Sequence, residues 1–204
     1  MRAVLFDMDG VLLFSEDAWF AVYNDTLRAF GHEPIPRAAF DAIYGNGTEA
    51  DRDTYMPERT VEEVDAAYAR FFEERLDHVR VNAEALPALA ALRARGVSTA
   101  VATNTNRPLA ERLLGRAGLL PAVDALACAD EAGAGKPDPA VVRLAAARIG
   151  VSLPDALFVG DSRYDEGAAL AASVRFVGYR FGRGARVESL AEIPALLDAA
   201  HPMH

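Results

Sequence analysis

The chain opens with a short apolar run that leads directly into acidic residues. Residues 3–6 are all apolar, and Asp7 and Asp9 follow, with Met8 between them and Gly10 after them. An uninterrupted apolar run of this kind is typical of a strand buried on both faces inside a parallel sheet. Because side chains alternate along a strand, Asp7 and Asp9 are predicted to point to the same side.

Residues 15–81 show a helical periodicity instead. An apolar stripe at helical spacing runs from Trp19 to Phe30 behind Ser15, which we predict to cap the helix. A capping box formed by Thr60 and Glu63 opens a second long helix. Two shorter helices are expected between them, after Pro36 and over residues 48–55. We therefore predict an all-helical module whose aromatic side chains form its own core.

From residue 82 onward, helices and strands alternate. The predicted strands are residues 97–102, 124–128, 156–159 and 175–178. The predicted helices are residues 84–95, 108–118 and 139–149, an alanine-rich stretch after Asp165, and a final helix at residues 194–200. Such alternation is typical of an α/β protein, in which helices cover both faces of a parallel sheet. Ligands of these proteins bind beyond the carboxyl ends of the strands.

Polar residues stand at several of these strand ends, and each has a simpler explanation when taken alone. Thr103 and Asn104 could cap the next helix, and Lys136 could be a solvated charge in a loop. Asp165, four residues after Asp161, could be an acid in the first turn of a helix. These explanations would all have to coincide at successive strand ends of one sheet, so we favour a shared site.

The combined residue types have a consistent chemistry. Carboxylates from Asp7 and Asp161, with a backbone carbonyl near Asp9, would form a hard oxygen site suited to Mg²⁺. Thr103 and Lys136 could bind phosphoryl oxygens and stabilise the charge that develops during transfer. The second acid of the pair could protonate the leaving alkoxide and then activate water. The pattern predicts magnesium-dependent phosphoryl transfer.

At this point the sequence resembles the haloacid dehalogenase superfamily, whose four motifs occur here in their expected order. The matching segments are residues 6–12, Thr103 with Asn104, Lys136 with Pro137, and Gly160 with Asp161 and Asp165. The resemblance spans essentially the whole chain and points to phosphoglycolate phosphatase-like and β-phosphoglucomutase-like members. It implies a Rossmann-like parallel sheet sandwiched by helices, formed by residues 1–14 and 82–204. It also implies an all-helical cap, inserted at residues 15–81, that sets substrate specificity.

The resemblance further implies a role for each matched residue. Asp7 would be the nucleophile that forms an aspartyl-phosphate, and Asp9 the general acid and base. Phosphate would be bound by Thr103, Asn104 and Lys136, and Mg²⁺ would be held or oriented by Asp7, Asp9, Asp161 and Asp165. The leading expectation is a magnesium-dependent phosphatase that hydrolyses a small phosphomonoester.

Two alternatives remain open. A β-phosphoglucomutase-like sugar-phosphate mutase is disfavoured because such caps usually carry basic residues around their glycine loop, where Tyr44 and Thr48 stand here, although Arg52 could compensate. A phosphorylated signalling domain, or a non-catalytic phosphate-binding protein, is more remote. Candidates for polar contacts to the substrate are Tyr44, Asn46, Arg52 and Arg107.

Composition narrows the biological setting. The 204 residues are 51% hydrophobic and carry a formal net charge of −9, which suits one core with a modest second module and argues against nucleic acid as partner. We expect no membrane span, because no apolar segment is long enough, and no signal peptide, because Asp7 interrupts the first apolar run. The single cysteine, Cys128, is expected to pack in the core. We expect a cytoplasmic monomer or weak homodimer that acts on a small phosphorylated metabolite.

Overall fold

The protein is described by a computed structural model that covers residues 1–198. Its strands are β1 (Ala3–Phe6), β2 (Leu13–Phe14), β3 (Arg80–Val81), β4 (Ser98–Thr103), β5 (Ala125–Cys128), β6 (Ala156–Gly160), β7 (Arg175–Tyr179) and β8 (Arg186–Val187). Six of them form one parallel sheet in the order β5-β4-β1-β6-β7-β8. The predicted α/β fold with a parallel sheet is confirmed.

Ten α-helices accompany the strands in the described residues. They are α1 (Glu16–Ala29), α2 (Arg37–Asp41), α3 (Thr48–Tyr55), α4 (Val61–Glu73), α5 (Ala85–Ala94), α6 (Arg107–Arg116), α7 (Ala129–Ala132), α8 (Ala140–Arg148), α9 (Arg163–Ala172) and α10 (Ile193–Asp198). The final helix was predicted to reach Ala200, which lies outside the described residues, as does the end of the predicted core at residue 204. No helix in residues 1–198 combines the length and apolar character needed to cross a membrane.

Strand β1 lies in the middle of the sheet. It pairs in parallel with β4 on one side and with β6 on the other, so that Leu5 lies between Ala100 and Phe158. All four of its residues are fully buried, because Val4 and Phe6 pack into the apolar layer on one face and Ala3 and Leu5 into the layer on the other. The apolar run at the start of the chain therefore places Asp7 at the carboxyl end of the central strand.

Helices α1 and α4 pack against each other through the predicted apolar stripes. The Trp19 ring meets the rings of Tyr68 and Phe72 edge to face, with centroids 5.5 Å and 4.7 Å apart. Phe72 is fully buried, whereas the predicted Phe71 is only half-buried, with the Arg70 guanidinium over its ring. The buried face of α4 therefore follows a spacing of four residues, from Val64 through Tyr68 to Phe72.

The predicted helix caps differ in outcome. The Thr60 hydroxyl accepts a hydrogen bond from the Glu63 backbone N–H at 3.2 Å, and the Glu63 carboxylate accepts one from the Thr60 N–H at 2.9 Å, which confirms the capping box. The prediction for Ser15 was wrong. Ser15 precedes α1, but its side chain makes no capping bond and donates to the Asp9 carboxylate instead.

A short antiparallel ribbon joins the helical region to the sheet. Leu13 pairs with Val81 and Phe14 pairs with Arg80, so strands β2 and β3 lie side by side. Residues 80–81 are therefore a strand, although they were predicted to belong to the all-helical module. The chain leaves the sheet region and returns to it at adjacent positions.

Candidate active site

The carboxyl ends of three neighbouring strands bring the predicted polar residues together. Asp7 follows β1, Thr103 ends β4 and Asp161 follows β6, while Lys136 reaches them from the loop before α8. The Asp7 backbone N–H donates to the Val159 carbonyl at 2.8 Å, which continues the sheet register up to the acid. These residues line a cavity of about 330 Å³ that the helical region also borders. A volume of this size suits a small-molecule ligand.

Lys136 is buried between two carboxylates. Its Nζ donates to Asp7 Oδ1 at 2.5 Å and to Asp165 Oδ1 at 2.7 Å, and its side chain is 3% exposed. Burial lowers the pKa of Lys136, but the charges of Asp165 and Asp7 outweigh burial and raise it above the ordinary value. Lys136 is therefore a fixed cation at the floor of the cavity, and the alternative of a solvated loop charge is wrong.

Asp165 holds this lysine in place and is itself held by Ser162. Its Oδ2 accepts from the Ser162 backbone N–H at 3.0 Å and from the Ser162 hydroxyl at 2.5 Å, while Oδ1 accepts from Lys136. Ser162 and Asp165 thus form a capping box at the start of α9. Asp165 is both the first-turn acid considered from the sequence and the partner of Lys136. Gly160 makes room for it, since a Cβ there would lie 2.4 Å from the Asp165 Cβ.

Three carboxylates form a cluster suited to a cation. Oxygen atoms of Asp7, Asp161 and Asp165 lie within 4.8 Å of one another. Burial and the charge of Asp165 raise the pKa of Asp7 to about 8, and burial and the charge of Asp7 raise the pKa of Asp161. Lys136 alone does not balance these acids. Hard oxygen ligands with excess negative charge fit a divalent cation such as Mg²⁺.

Gly10 allows Asp161 to approach the acidic pair. It has a φ of +86°, and a Cβ at this position would lie 1.8 Å from Asp161 Oδ2. Any other residue would displace the carboxylate as well as strain the backbone. The glycine after the acidic pair is therefore required by the geometry of the cluster.

Asp9 has different surroundings from Asp7. Its carboxylate accepts hydrogen bonds from Thr105 Oγ1 at 2.9 Å, from Trp19 Nε1 at 3.2 Å and from the Ser15 hydroxyl. Burial raises its pKa, and these hydrogen bonds partly offset the rise. Asp9 is thus held by neutral donors, two of them from the helical region, whereas Asp7 is held by a cation. The two acids are chemically distinct.

Asn104 fixes the loop that carries Lys136. Its Oδ1 accepts from the Lys136 backbone N–H at 2.6 Å, and its Nδ2 donates to the Lys136 carbonyl at 3.0 Å and to the Gly45 carbonyl at 2.8 Å. Thr103 is buried, and its hydroxyl accepts from the Thr105 backbone N–H at 3.1 Å. Neither residue caps α6, because Asn106 does so. Asn104 therefore positions the lysine through its backbone.

The four predicted substrate contacts have different locations. Tyr44 lines the cavity, and its hydroxyl lies 3.2 Å from Ser15 Oγ. Asn46 lines an adjoining depression beside the Lys136 loop. Arg52 pairs with Asp53 at 3.0 Å and lies outside the cavity lining.

Arg107 is also away from the cavity. Its guanidinium pairs with Glu131 at 2.9 Å and with Glu111 at 3.0 Å, and it does not line the cavity. These two carboxylates hold the side chain on the surface around α6 and α7. The structure therefore brings Tyr44 to the acidic cluster, but not Arg107.

Several residues at the site were missed from the sequence. Ser15, Trp19 and Thr105 hold Asp9, and Ser162 holds Asp165. A signal existed for Ser162, because a serine three residues before an acid at a helix start is a capping-box pattern. Trp19 and Thr105 are brought to Asp9 only by the tertiary fold, so the local pattern did not reveal them.

Comparison with known proteins agrees with this geometry. The model of the haloacid dehalogenase-like hydrolase family matches residues 1–173. A phosphoglycolate phosphatase of Neisseria meningitidis serogroup A is 32% identical over 193 residues, covering 90% of this chain and 82% of the relative. An N-acetylmuramic acid 6-phosphate phosphatase of Pseudomonas aeruginosa is 27% identical over 187 residues, covering 89% and 83%.

A solved structure shows the same fold. CbbY from Rhodobacter sphaeroides, in complex with phosphate, superposes with a TM-score of 0.83 at 23% identity, covering 97% of this chain and 99% of its own. The family match extends over most of the chain and includes all four motifs at the cavity. The chain therefore belongs to the haloacid dehalogenase-like hydrolases, and it is an enzyme of the phosphatase class.

Proposed function

We propose that this enzyme hydrolyses a small phosphomonoester with Mg²⁺, through a phosphorylated Asp7. The observation that carries the proposal is the position of Asp7. Lys136 holds one of its oxygens, Asp161 lies in the same carboxylate cluster, and a cavity of about 330 Å³ opens above them. A carboxylate held in this way is a positioned nucleophile.

The carboxylate cluster supports the choice of cofactor. Asp7 and Asp161 would hold Mg²⁺, with Asp165 orienting the site, because both Asp165 oxygens already accept hydrogen bonds from Lys136 and Ser162. When bound, Mg²⁺ would neutralise phosphate charge and so allow an anionic carboxylate to approach an anionic ester. Asp9 would contribute a backbone carbonyl, which leaves its side chain free for proton transfer.

The protein side chains divide the reaction into two steps. In the first, an Asp7 oxygen attacks phosphorus, the bond to the leaving oxygen breaks, and Asp9 gives that oxygen a proton. In the second, Asp9 takes a proton from water, which attacks phosphorus and releases inorganic phosphate from Asp7. Lys136 and Thr103 bind phosphoryl oxygens in both steps. The raised pKa of Asp9 supports its role as proton carrier.

Hydrolysis is the better-supported reaction of the two phosphoryl transfers. The curated relatives described above are both phosphatases, and Arg52, the residue that could serve a mutase, does not line the cavity. The intact set of acids likewise argues against a silent binding or signalling domain. We further propose that residues 15–81 act as the cap that selects the substrate, a small phosphorylated metabolite.

A phosphate-ester assay tests the proposal. Purified protein should release phosphate from p-nitrophenyl phosphate with Mg²⁺ and should lose this activity in EDTA. Asp7→Asn should reduce kcat by at least about 10³-fold, because it removes the nucleophile. Asp17→Asn is the matched control, since Asp17 is 75% exposed and its ion pair is with Arg37 at the surface. Undiminished turnover by Asp7→Asn would overturn the mechanism.

A further inference from the structure

The cavity has a second polar region besides the acidic cluster. We call it the helical wall, and it consists of Tyr23, Thr48, Asp51, Asp65 and Tyr68. Asp51 Oδ2 accepts from the Tyr68 hydroxyl at 3.1 Å, and Asp65 Oδ1 accepts from the Thr48 hydroxyl at 2.7 Å. Within residues 1–198, no protein donor is bonded to the other oxygen of either carboxylate. Two acceptors therefore remain available in the helical wall.

Tyr23 supplies an independent sign that a ligand belongs here. Its side chain is 2% exposed, it lines the cavity, and its hydroxyl has no hydrogen-bond partner in the described chain. Burial raises the pKa of Tyr23, and the nearby charge of Asp51 raises it further. A buried hydroxyl without a partner is unfavourable, and a ligand group that bonds to it removes that penalty.

The helical wall offers no cation to an anionic ligand. Among residues 1–198, the cations that line the cavity are Lys136 and Arg163. Lys136 is engaged by Asp7 and Asp165, as described above. Arg163 is exposed, and its guanidinium donates to the Ala42 carbonyl at 2.7 Å and to the Tyr164 hydroxyl at 2.8 Å. Burial also raises the pKa of Asp51 to about 7, and the hydrogen bond from Tyr68 offsets only part of this rise.

Resting on the phosphatase function proposed above, we propose that the helical wall selects a leaving group that carries hydrogen-bond donors, either hydroxyl or ammonium, and rejects a carboxylate. Lys136, Asp51 and Asp65 line the same cavity, so a substrate with its phosphoryl group at Lys136 that fills the cavity would also contact the two acids. Donors on the rest of that substrate would bond to the two available carboxylate oxygens and to Tyr23. A carboxylate at this position would instead face the acids Asp51 and Asp65 in a wall that itself carries no cation.

This selectivity separates the chain from relatives named as phosphoglycolate phosphatases, because the glycolate part of that substrate is a carboxylate. Overall identity to such a relative is 32%, and identity at this level does not specify the residues of the helical wall. The inference therefore concerns the substrate class of this chain and not the reaction it catalyses.

Four small esters of similar size test the inference with Mg²⁺. They are phosphoethanolamine, with an ammonium group, glycerol 1-phosphate, with hydroxyls, ethyl phosphate, with neither, and 2-phosphoglycolate, with a carboxylate. We expect kcat/KM for at least one of the first two esters to exceed that for ethyl phosphate by about tenfold or more, and 2-phosphoglycolate to be the poorest substrate. The ester that gains most identifies the donor as ammonium or hydroxyl.

Two variants assign the selectivity to the helical wall. Asp51→Asn removes a charge, and Tyr23→Phe removes only the unpartnered hydroxyl. Either should reduce the ratio of kcat/KM for the preferred ester to kcat/KM for ethyl phosphate by roughly tenfold, mainly through the KM of the preferred ester. Asp77→Asn is the control, because Asp77 is 86% exposed and pairs with Arg116 on the surface.

The outcomes separate this inference from the proposed reaction. Highest kcat/KM on 2-phosphoglycolate, or unchanged ester ratios in both Asp51→Asn and Tyr23→Phe, would overturn the inference while leaving the phosphatase mechanism intact. Absence of hydrolysis of all four esters and of p-nitrophenyl phosphate would overturn the mechanism and this inference with it.

Discussion

The two sides of the cavity solve the problem of buried charge in different ways. On the sheet side, Asp7 and Asp165 share Lys136, with Nζ–Oδ1 distances of 2.5 Å and 2.7 Å. On the helical wall, the side-chain donors to Asp51 and Asp65 among residues 1–198 are the hydroxyl groups of Tyr68 and Thr48. The sheet side is therefore built around an internal cation, whereas the helical wall has acceptors that only an external group can satisfy.

This difference suits the sheet side and the helical wall to different tasks. A buried ion pair with fixed partners keeps a nucleophile in place and gives phosphate a positive contact, irrespective of the rest of the substrate. Unsatisfied acceptors respond instead to the particular molecule that enters. Under the two proposals made above, the reaction type depends on the sheet side and the choice of substrate depends on the helical wall.

The largest expected effect comes from removing the internal cation. Lys136→Met would leave the Asp7 and Asp165 carboxylates without their shared partner, which costs about 3–5 kcal/mol for a broken buried pair. We also expect kcat to fall by about 10²–10³-fold, because a fixed positive charge on the phosphoryl group is lost. Urea unfolding and phosphate release measure the two effects.

Lys136→Arg is the matched comparison. It keeps the charge, but a planar guanidinium does not fit the space that the ammonium fills between two carboxylates. Stability should be closer to that of the unmodified chain, and activity should still fall. Full activity of Lys136→Met would show that the sheet side does not rely on this cation.

A smaller effect is expected from pH and magnesium. The pKa of Asp7 is about 8 in the folded protein against an ordinary value of 3.8, so the folded state binds more protons across this range. The stability of the metal-free protein should therefore fall as pH rises from about 4 to about 8. Mg²⁺ at about 100 times its Kd should raise Tm at pH 8 by roughly 5–10 °C, and by less at pH 5.

Asp161→Asn is the control for this magnesium effect. It removes a carboxylate that we propose as a direct ligand, so the rise in Tm on adding Mg²⁺ should shrink. Thermal melts with and without EDTA at both pH values provide the measurement. Equal stabilisation by Mg²⁺ at pH 5 and pH 8 would contradict the proposed competition between protons and metal.

The smallest expected effect is a pH-dependent change in stability caused by Asp51 of the helical wall when no ligand is bound. Burial raises the pKa of Asp51 from 3.8 to about 7, so its folded state also holds a proton that the unfolded state has lost. Asp51 therefore costs stability as pH rises from about 4 to about 7. Asp51→Asn removes this cost, and its Tm should rise relative to the unmodified chain over the same window.

Thermal melts of Asp51→Asn and of Asp77→Asn across that window measure the effect. Asp77 is 86% exposed, so its replacement controls for the loss of a carboxylate at the surface. A Tm difference between Asp51→Asn and the unmodified chain that is constant from pH 4 to pH 7 would show that the charge of Asp51 is already compensated.

The sheet side could largely be predicted from the sequence, because its signals are local. An apolar run followed by Asp7 and Asp9, or by Gly160 and Asp161, marks a strand and its end in a few residues. The positioning role of Asn104 was harder to predict from the sequence, because Asn104 bonds to the backbone of Lys136, which is 32 residues away. The local sequence pattern therefore predicted the acidic residues but not the hydrogen bonds that hold them in place.

The helical wall could not be predicted in the same way. Asp51 and Asp65 lie in helices α3 and α4, where acidic side chains ordinarily face solvent. Only the packing of α1 and α4 with α3 places them around a cavity. Arg107 shows the opposite error, because it was predicted to contact the substrate but does not line the cavity. Its guanidinium pairs with Glu131 and Glu111 instead. Charge alone does not indicate where a long side chain ends.

The ribbon formed by β2 and β3 has a consequence for engineering this scaffold. Leu13 pairs with Val81, and Phe14 pairs with Arg80. The point where the chain enters the helical region and the point where it leaves that region are therefore separated by the distance between two neighbouring strands. A helical insert from another protein can be spliced between them without altering the distance its ends must span. The ribbon is thus a suitable graft point, at which the proposed specificity region can be exchanged while the sheet is kept.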